Sequence, residues 1–291
     1  MATAELTLKS LESDVHPDWC AGCGDFGVLK SLKEAIVELG IPQHEVLVVS
    51  GIGCSSNLPG FIRTNGVHSL HGRAVPVATG AALANHDLHV VVVGGDGDGY
   101  GIGMAHFIHA MRRNLNLTYI VMDNEVYGLT TGQTSPTTAE GHKTKSTPRG
   151  NVERPIAPLA LALAAGATYV GRGFTGKPKQ LTKLTAAAVA HRGFSLIDVF
   201  SPCVTFNKVN TYPWFRERVY MLEDEGYDPS DFMGAMEKAL EFDKRIPIGL
   251  LYQTERPTYE DTDPVLREGP LVDQPLGLDR AKLAALLAET M

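Results

Sequence analysis

Long hydrophobic runs are missing from this chain of 291 residues: the longest, VLVV and HVVVVGG, fall far short of the ~18 apolar residues that span a bilayer. No basic segment leads into an apolar stretch within MATAELTLKSLESD, so a secretory leader is not expected. An excess of positive charge is missing too. The 26 Lys and Arg are outnumbered by 33 Asp and Glu, and the net charge of −7 argues against general affinity for nucleic acid. The one modestly basic stretch, HKTKSTPRG at 142–150, has no interleaved aromatics and reads as a solvated loop. Cysteine is scarce, four residues in all, which disfavours a disulfide-stapled scaffold. These absences lead to the expectation of a cytoplasmic protein with no membrane and no nucleic-acid partner.

What is present is 44% hydrophobic, enough for a substantial core. FGVLKSLKEAIVELG (26–40) carries apolar residues at helical spacing and closes on Gly40, while HEVLVVSG (44–51) reads as a buried strand. VATGAALANH is a small-residue helix, LHVVVVGG a second strand, GIGMAHFIHAMRRN a helix and LTYIVMDN a third strand. RPIAPLALALAAG, ATYVGR, KPKQLTKLTAAAVAHRG and FSLIDVF continue the alternation. This pattern predicts an α/β fold, a parallel sheet with helices on both faces and ligands in loops at the carboxyl ends of its strands. After about residue 205 the chain turns polar and irregular. We therefore expect a binding domain over 1–205 and an extension over 206–291.

Cys20 and Cys23 stand three apart in HPDWCAGCGDFG, with Cys54 and Cys203 far along the chain. Two thiolates from one tight turn plus two from distant loops make a four-sulfur set that suits either a structural zinc or a 4Fe-4S cluster. Three glycine-rich loops compete as phosphate binders. GCGDFG at 22–27 has no strand before it, and in GRGFTGK at 171–177 the next residue, Pro178, replaces the hydroxyl residue of a P-loop; both are coincidental. GGDGDGYGIG at 94–103 follows a strand and opens a helix, so its backbone N–H groups can approach a diphosphate. Asp96 supplies a carboxylate for magnesium, and Asn124, 28 residues on at the end of the next strand, supplies an amide oxygen beside a main-chain carbonyl near Val126. His106 and His109 share a helix face but fit packing or solvent better than a metal site.

The GDG…N pair resembles the thiamine diphosphate motif. Together with WCAGCGDFG, GIGCSSN, LHGRAVPVATG, DNEVYGLTTGQTSPT, SPCVTFN and IPIGLLYQTERPTYE, it is similar to the β subunit of 2-oxoacid:ferredoxin oxidoreductases across roughly residues 16–262. The resemblance implies a thiamine diphosphate-binding fold and one 4Fe-4S cluster held by Cys20, Cys23, Cys54 and Cys203. It implies magnesium on Asp96, Asn124 and Val126, with cofactor contacts from Gly53, Cys54, Ser55, Ser56, Gly72, Gly95, Gly97, Asp98, Gly128 and Leu129. His71 and Arg73 of the HGR segment fall beside the cofactor as candidate catalytic residues.

The same resemblance implies a CoA-acylating enzyme that oxidatively decarboxylates a 2-oxoacid, with 2-oxoglutarate to succinyl-CoA as the best bet, or runs in reverse to fix CO2. Ferredoxin carries the electrons. The chain has one GDG…N half only, so the pyrimidine-binding domain and its activating glutamate are expected on an α subunit, in an (αβ)2 assembly. Three readings compete with this one: a pyruvate-specific or broad 2-oxoacid member, a non-oxidative thiamine carboligase, and a binding module stabilised by a four-thiolate zinc.

Overall fold

Valine-rich strands with no polar face can be stable only when covered on both sides, and the computed structural model, which describes residues 6–275, 277 and 279–290, covers them in that way. The strands are β1 (Val46–Ser50), β2 (Asn65–His68), β3 (His89–Gly95), β4 (Leu117–Asp123), the short hairpin β5 (Val126–Tyr127) and β6 (Gln133–Thr134), β7 (Tyr169–Phe174), β8 (Phe194–Phe200), β9 (Val219–Met221) and β10 (Ile246–Gln253). Eight of them form one sheet in the order β2-β1-β3-β4-β8-β7-β10-β9, parallel except where β10 runs against β7. The helices are α1 (Asp25–Leu39), α2 (Ala74–Ala84), α3 (Met104–Arg113), α4 (Pro158–Ala164), α5 (Pro178–Ala190), α6 (Tyr212–Arg216), α7 (Phe232–Leu240), α8 (Tyr259–Thr262) and α9 (Arg280–Glu289).

Alternation of side chains along each strand splits the core into two layers. Val90, Val92, Tyr119 and Val121 face α2, α3, α4 and α7, packing on Val75, Phe107, Leu159 and Ala235. Val91, Val93, Ile120 and Met122 face α1 and α5, packing on Leu32, Ile36, Leu181 and Leu184. Each fully buried valine contributes about 1.5–3 kcal/mol relative to exposure. Pro178 opens α5 at its first turn, which accounts for the proline after GRGFTGK.

The region after residue 205 is more ordered than its composition suggests. It adds α6 to α9 and two strands to the same sheet, and Phe174, Phe200, Phe215, Ile246 and Ile248 close a third apolar cluster there. Pro247 and a register shift between Leu250 and Tyr252 obscure the strand pattern of β10, and pairing with β7 overrides that weak local signal. The 142–150 stretch is an exposed loop apart from Gly150 and a few half-buried residues. Among the described residues, no helix is long and apolar enough to cross a membrane.

Candidate functional site

β1, β3, β4 and β8 are consecutive in the sheet, and their carboxyl ends deliver Cys54, Asp96, Asn124 and Cys203 to one edge. The Cys20–Cys23 turn joins them from the opening of α1, held by the Cys23 N–H donating to the Cys20 carbonyl and the Gly24 N–H to the Pro202 carbonyl.

All four cysteines line one cavity of about 230 Å³. Cys20 is exposed and the other three half-buried. Burial, then the nearby Asp25, pushes the Cys23 thiol far up, and the same causes push the Cys54 thiol up to about 11. Such thiols become thiolates only with a cationic partner. Trp19 braces the cavity, its Nε1–H donating to the Cys54 carbonyl at 2.7 Å while its ring stands edge-on to Phe26 and Phe61. The Phe206 N–H donates to the Cys203 sulfur at 3.4 Å.

A second cavity, of about 270 Å³, adjoins the first and shares Cys54, Asn124, Gly128 and Leu129 with it. Its floor is the loop after β3, where Gly97 must lack a side chain: a β-carbon there would stand 2.2 Å from the Tyr127 ring. Tyr127 in turn donates its hydroxyl to the Gly97 carbonyl at 3.0 Å. Asp98 ties three segments together. Its buried carboxylate accepts from the Ile52 N–H at 2.9 Å, the Gly72 N–H at 2.7 Å and His71 Nδ1 at 2.9 Å.

Asp96 and Asn124 both line this second cavity. Asn124 Oδ1 accepts from the Val126 N–H at 3.1 Å, which fixes the amide and leaves its oxygen a second lone pair. Asp96 Oδ2 accepts from Ser135 Oγ at 2.5 Å and Thr137 Oγ1 at 2.7 Å, and burial raises its carboxyl above the usual range. Asp123 lies 2.8 Å from Thr137 Oγ1, and burial followed by the Asp96 charge holds it well above the usual range. Burial, then Asp96, pushes Glu125 up to about 8; burial also raises Asp198 to about 6 despite the nearby Arg172 guanidinium. A set of buried carboxylates with one buried arginine beside it is short of positive charge, a deficit that a divalent cation at Asp96 would offset.

Gly53, Ser55, His71, Gly95, Gly97, Asp98, Val126, Gly128 and Leu129 all line the second cavity, as do Cys54, Asp96 and Asn124. Ser56, Gly72 and Arg73 do not line it: Ser56 is buried, the Gly72 N–H donates to Asp98, and Arg73 immediately precedes α2. His106 and His109 lie on α3, half-buried and exposed. Tyr127, Ser135, Thr137 and Trp19 were not singled out by sequence reasoning. The TSPT segment was visible, but no spacing rule says that the hairpin formed by β5 and β6 returns two hydroxyls to Asp96.

Comparison with known proteins bears on the fold and the family. Residues 42–199 match the C-terminal TPP-binding domain of thiamine pyrophosphate enzymes, and residues 203–268 match the C-terminal region of the pyruvate ferredoxin oxidoreductase β subunit. The 2-oxoacid:ferredoxin oxidoreductase subunit β of a Sulfolobus species is 49% identical over 84% of this chain and 84% of its own. The 2-oxoglutarate synthase subunit KorB of Archaeoglobus fulgidus is 48% identical over 66% of this chain and 71% of its own. A solved 2-oxoglutarate:ferredoxin oxidoreductase from Magnetococcus marinus, with 2-oxoglutarate, coenzyme A and succinyl-CoA bound, superimposes with a TM-score of 0.91 at 44% identity, covering 98% of this chain and 97% of that one. On the strength of this fold, this site and these relatives, the chain belongs to the β subunits of the 2-oxoacid:ferredoxin oxidoreductases.

Proposed function

We propose that this chain, joined to an α subunit, oxidatively decarboxylates 2-oxoglutarate to succinyl-CoA with ferredoxin as electron acceptor, or fixes CO2 by the reverse reaction, in the cytoplasm as an (αβ)2 assembly. The observation that carries this reading is the pair of adjoining cavities that share Cys54, Asn124, Gly128 and Leu129 as a common wall. The names of the relatives and the ligands of the solved neighbour support 2-oxoglutarate as the substrate.

The donor sets fit both groups. Four thiols around one cavity suit a 4Fe-4S cluster on Cys20, Cys23, Cys54 and Cys203. Four thiolates could equally ligate a single zinc, and iron and sulfide analysis separates the two. The oxygens of Asp96 and Asn124, with the Val126 carbonyl, suit magnesium, and the glycine-rich floor suits the diphosphate of thiamine. Thiamine diphosphate supplies an electron sink for decarboxylation and the cluster a path for single electrons.

The chain's own residues bind and orient. Asp98 fixes the ring of His71, leaving Nε2 as the nitrogen for the cavity, and Arg73 adds a positive charge nearby. Gly53, Ser55 and Leu129 shape the cavity wall between the two groups. Residues 1–205 carry both sites, and 206–291 pack on that unit and on the α subunit, which supplies the activating glutamate.

Anaerobic co-purification of both subunits tests the reading. About four irons, matching sulfide and about one thiamine per β chain are expected, with viologen reduction that needs coenzyme A and prefers 2-oxoglutarate to pyruvate. Cys20→Ala removes dye reduction, whereas Asp96→Ala removes thiamine and magnesium and leaves iron in place. Equal iron loss in both variants rejects the two-site arrangement.

A further inference from the structure

The two hydroxyls that meet at Asp96 come from a segment to which the reading above assigns no part. After β5 and β6 the chain turns back, so that Ser135 and Thr137, both buried, point at the carboxylate that ends β3. Both reach the same oxygen: Ser135 Oγ stands 2.5 Å and Thr137 Oγ1 2.7 Å from Asp96 Oδ2. Neither hydroxyl reaches Oδ1, and the Gly97 N–H and the Asp123 carboxyl also approach this carboxylate. The segment is itself tied down. Thr138 Oγ1 accepts from the Ser135 N–H at 2.7 Å and donates to the Glu125 carbonyl, and Asn151 Nδ2 donates to the Thr138 carbonyl at 3.0 Å. Thr137 Oγ1 also lies 2.8 Å from Asp123 Oδ1, so one hydroxyl spans the ends of β3 and β4, the two strands that carry Asp96 and Asn124.

We infer that Ser135 and Thr137 are positioning residues for magnesium: they hold Asp96 by Oδ2, turn Oδ1 to the metal, and fix the distance between the strand ends that supply Asp96 and Asn124. The inference rests on the proposed magnesium site. Its physical basis is general. A carboxylate free to rotate about its Cα–Cβ bond offers a metal many wrong geometries, and magnesium tolerates few, so donors to the non-ligating oxygen raise affinity by orienting the other. It also makes the 135–138 segment part of the metal site, so that loading the metal and ordering this segment become one event.

The test uses the αβ protein stripped of metal and cofactor, titrated with magnesium by calorimetry at saturating thiamine diphosphate. Thr137→Val keeps the shape and removes the hydroxyl; magnesium binding is expected to weaken about 10–100-fold. Ser135→Ala weakens it in the same direction, and Thr137→Ser restores it. Hydrogen exchange at 135–138 is expected to slow on adding magnesium in the parent protein and in Thr137→Ser, but not in Thr137→Val. Unchanged magnesium affinity in Thr137→Val, with or without a lower melting temperature, overturns the inference and leaves the hydroxyl a structural role. Asp96→Asn separates the two levels: if it keeps parental magnesium affinity, the metal site itself is wrong; if it loses magnesium while Thr137→Val does not, only the positioning role is.

Discussion

Gly128 and Cys54 face each other across the wall between the two cavities, so closely that a β-carbon on Gly128 would stand 3.6 Å from the Cys54 sulfur and 3.9 Å from that of Cys203. An alanine fits at that distance; a larger side chain on a residue that lines both cavities intrudes on both. Gly128→Ala is therefore expected to keep both iron and thiamine, and Gly128→Leu to lose both together. Iron and thiamine assays on the two co-purified variants decide it, and loss of one cofactor alone in the leucine variant would show that the wall is not shared.

Gly97 carries a different constraint. The Tyr127 ring occupies the place of its missing side chain, so Gly97→Ala forces overpacking worth about 1–3 kcal/mol and displaces the diphosphate loop. Urea denaturation gives the stability change. Trimming the ring with Tyr127→Ala in the same chain is expected to recover thiamine binding in part.

Removing Asp98 leaves the N–H groups of Ile52 and Gly72 without their acceptor and frees the His71 ring. Asp98→Ala is expected to cost about 3 kcal/mol, more than a typical surface change by a wide margin. A melting temperature within a degree of the parent's would show that these segments are held by something else.

Trp19 links the Cys20 turn to the Cys54 loop through a single hydrogen bond. Trp19→Phe keeps the edge-on packing with Phe26 and Phe61 but leaves the Cys54 carbonyl with only the longer bond from the Asn57 N–H at 3.3 Å, at about 1 kcal/mol. The visible absorbance of the cluster is expected to bleach faster in air than in the parent.

Burial raises Asp198 to about 6 from an unfolded value of about 3.9, so the folded state holds the proton more tightly between those limits. Stability from this group is therefore full below about pH 4 and falls as pH rises to about 6, a loss of a few kcal/mol. Asp25, raised by burial to the same region, adds a slope of the same sign. In metal-free αβ protein, urea midpoints are expected to fall between pH 4.5 and 6.5, and Asp198→Asn to flatten part of that fall. A midpoint that rises over this window contradicts the assignment.

Local pattern determined a good deal by itself. Apolar strands alternating with amphipathic helices are stable only as a covered parallel sheet, and glycine, aspartate and asparagine at strand ends fall at the carboxyl edge, where such sheets bind ligands. The helix from 26 to Gly40, the strands β1, β3, β4, β7 and β8 and the loop around Asp96 were legible for that reason, whereas the short β2, β5 and β6 were not. The strand order was not, because spacing along a chain says nothing about which loops become neighbours. Cys203 lies 149 residues from Cys54, and only the adjacency of β1, β3, β4 and β8 puts both sulfurs on one cavity. β10 was hidden because Pro247 and Gly249 weaken its local signal while tertiary pairing supplies its stability. Ser135 and Thr137 were hidden for a related reason: a hydroxyl has no periodic signature, and its part is set by the carboxylate to which the fold brings it.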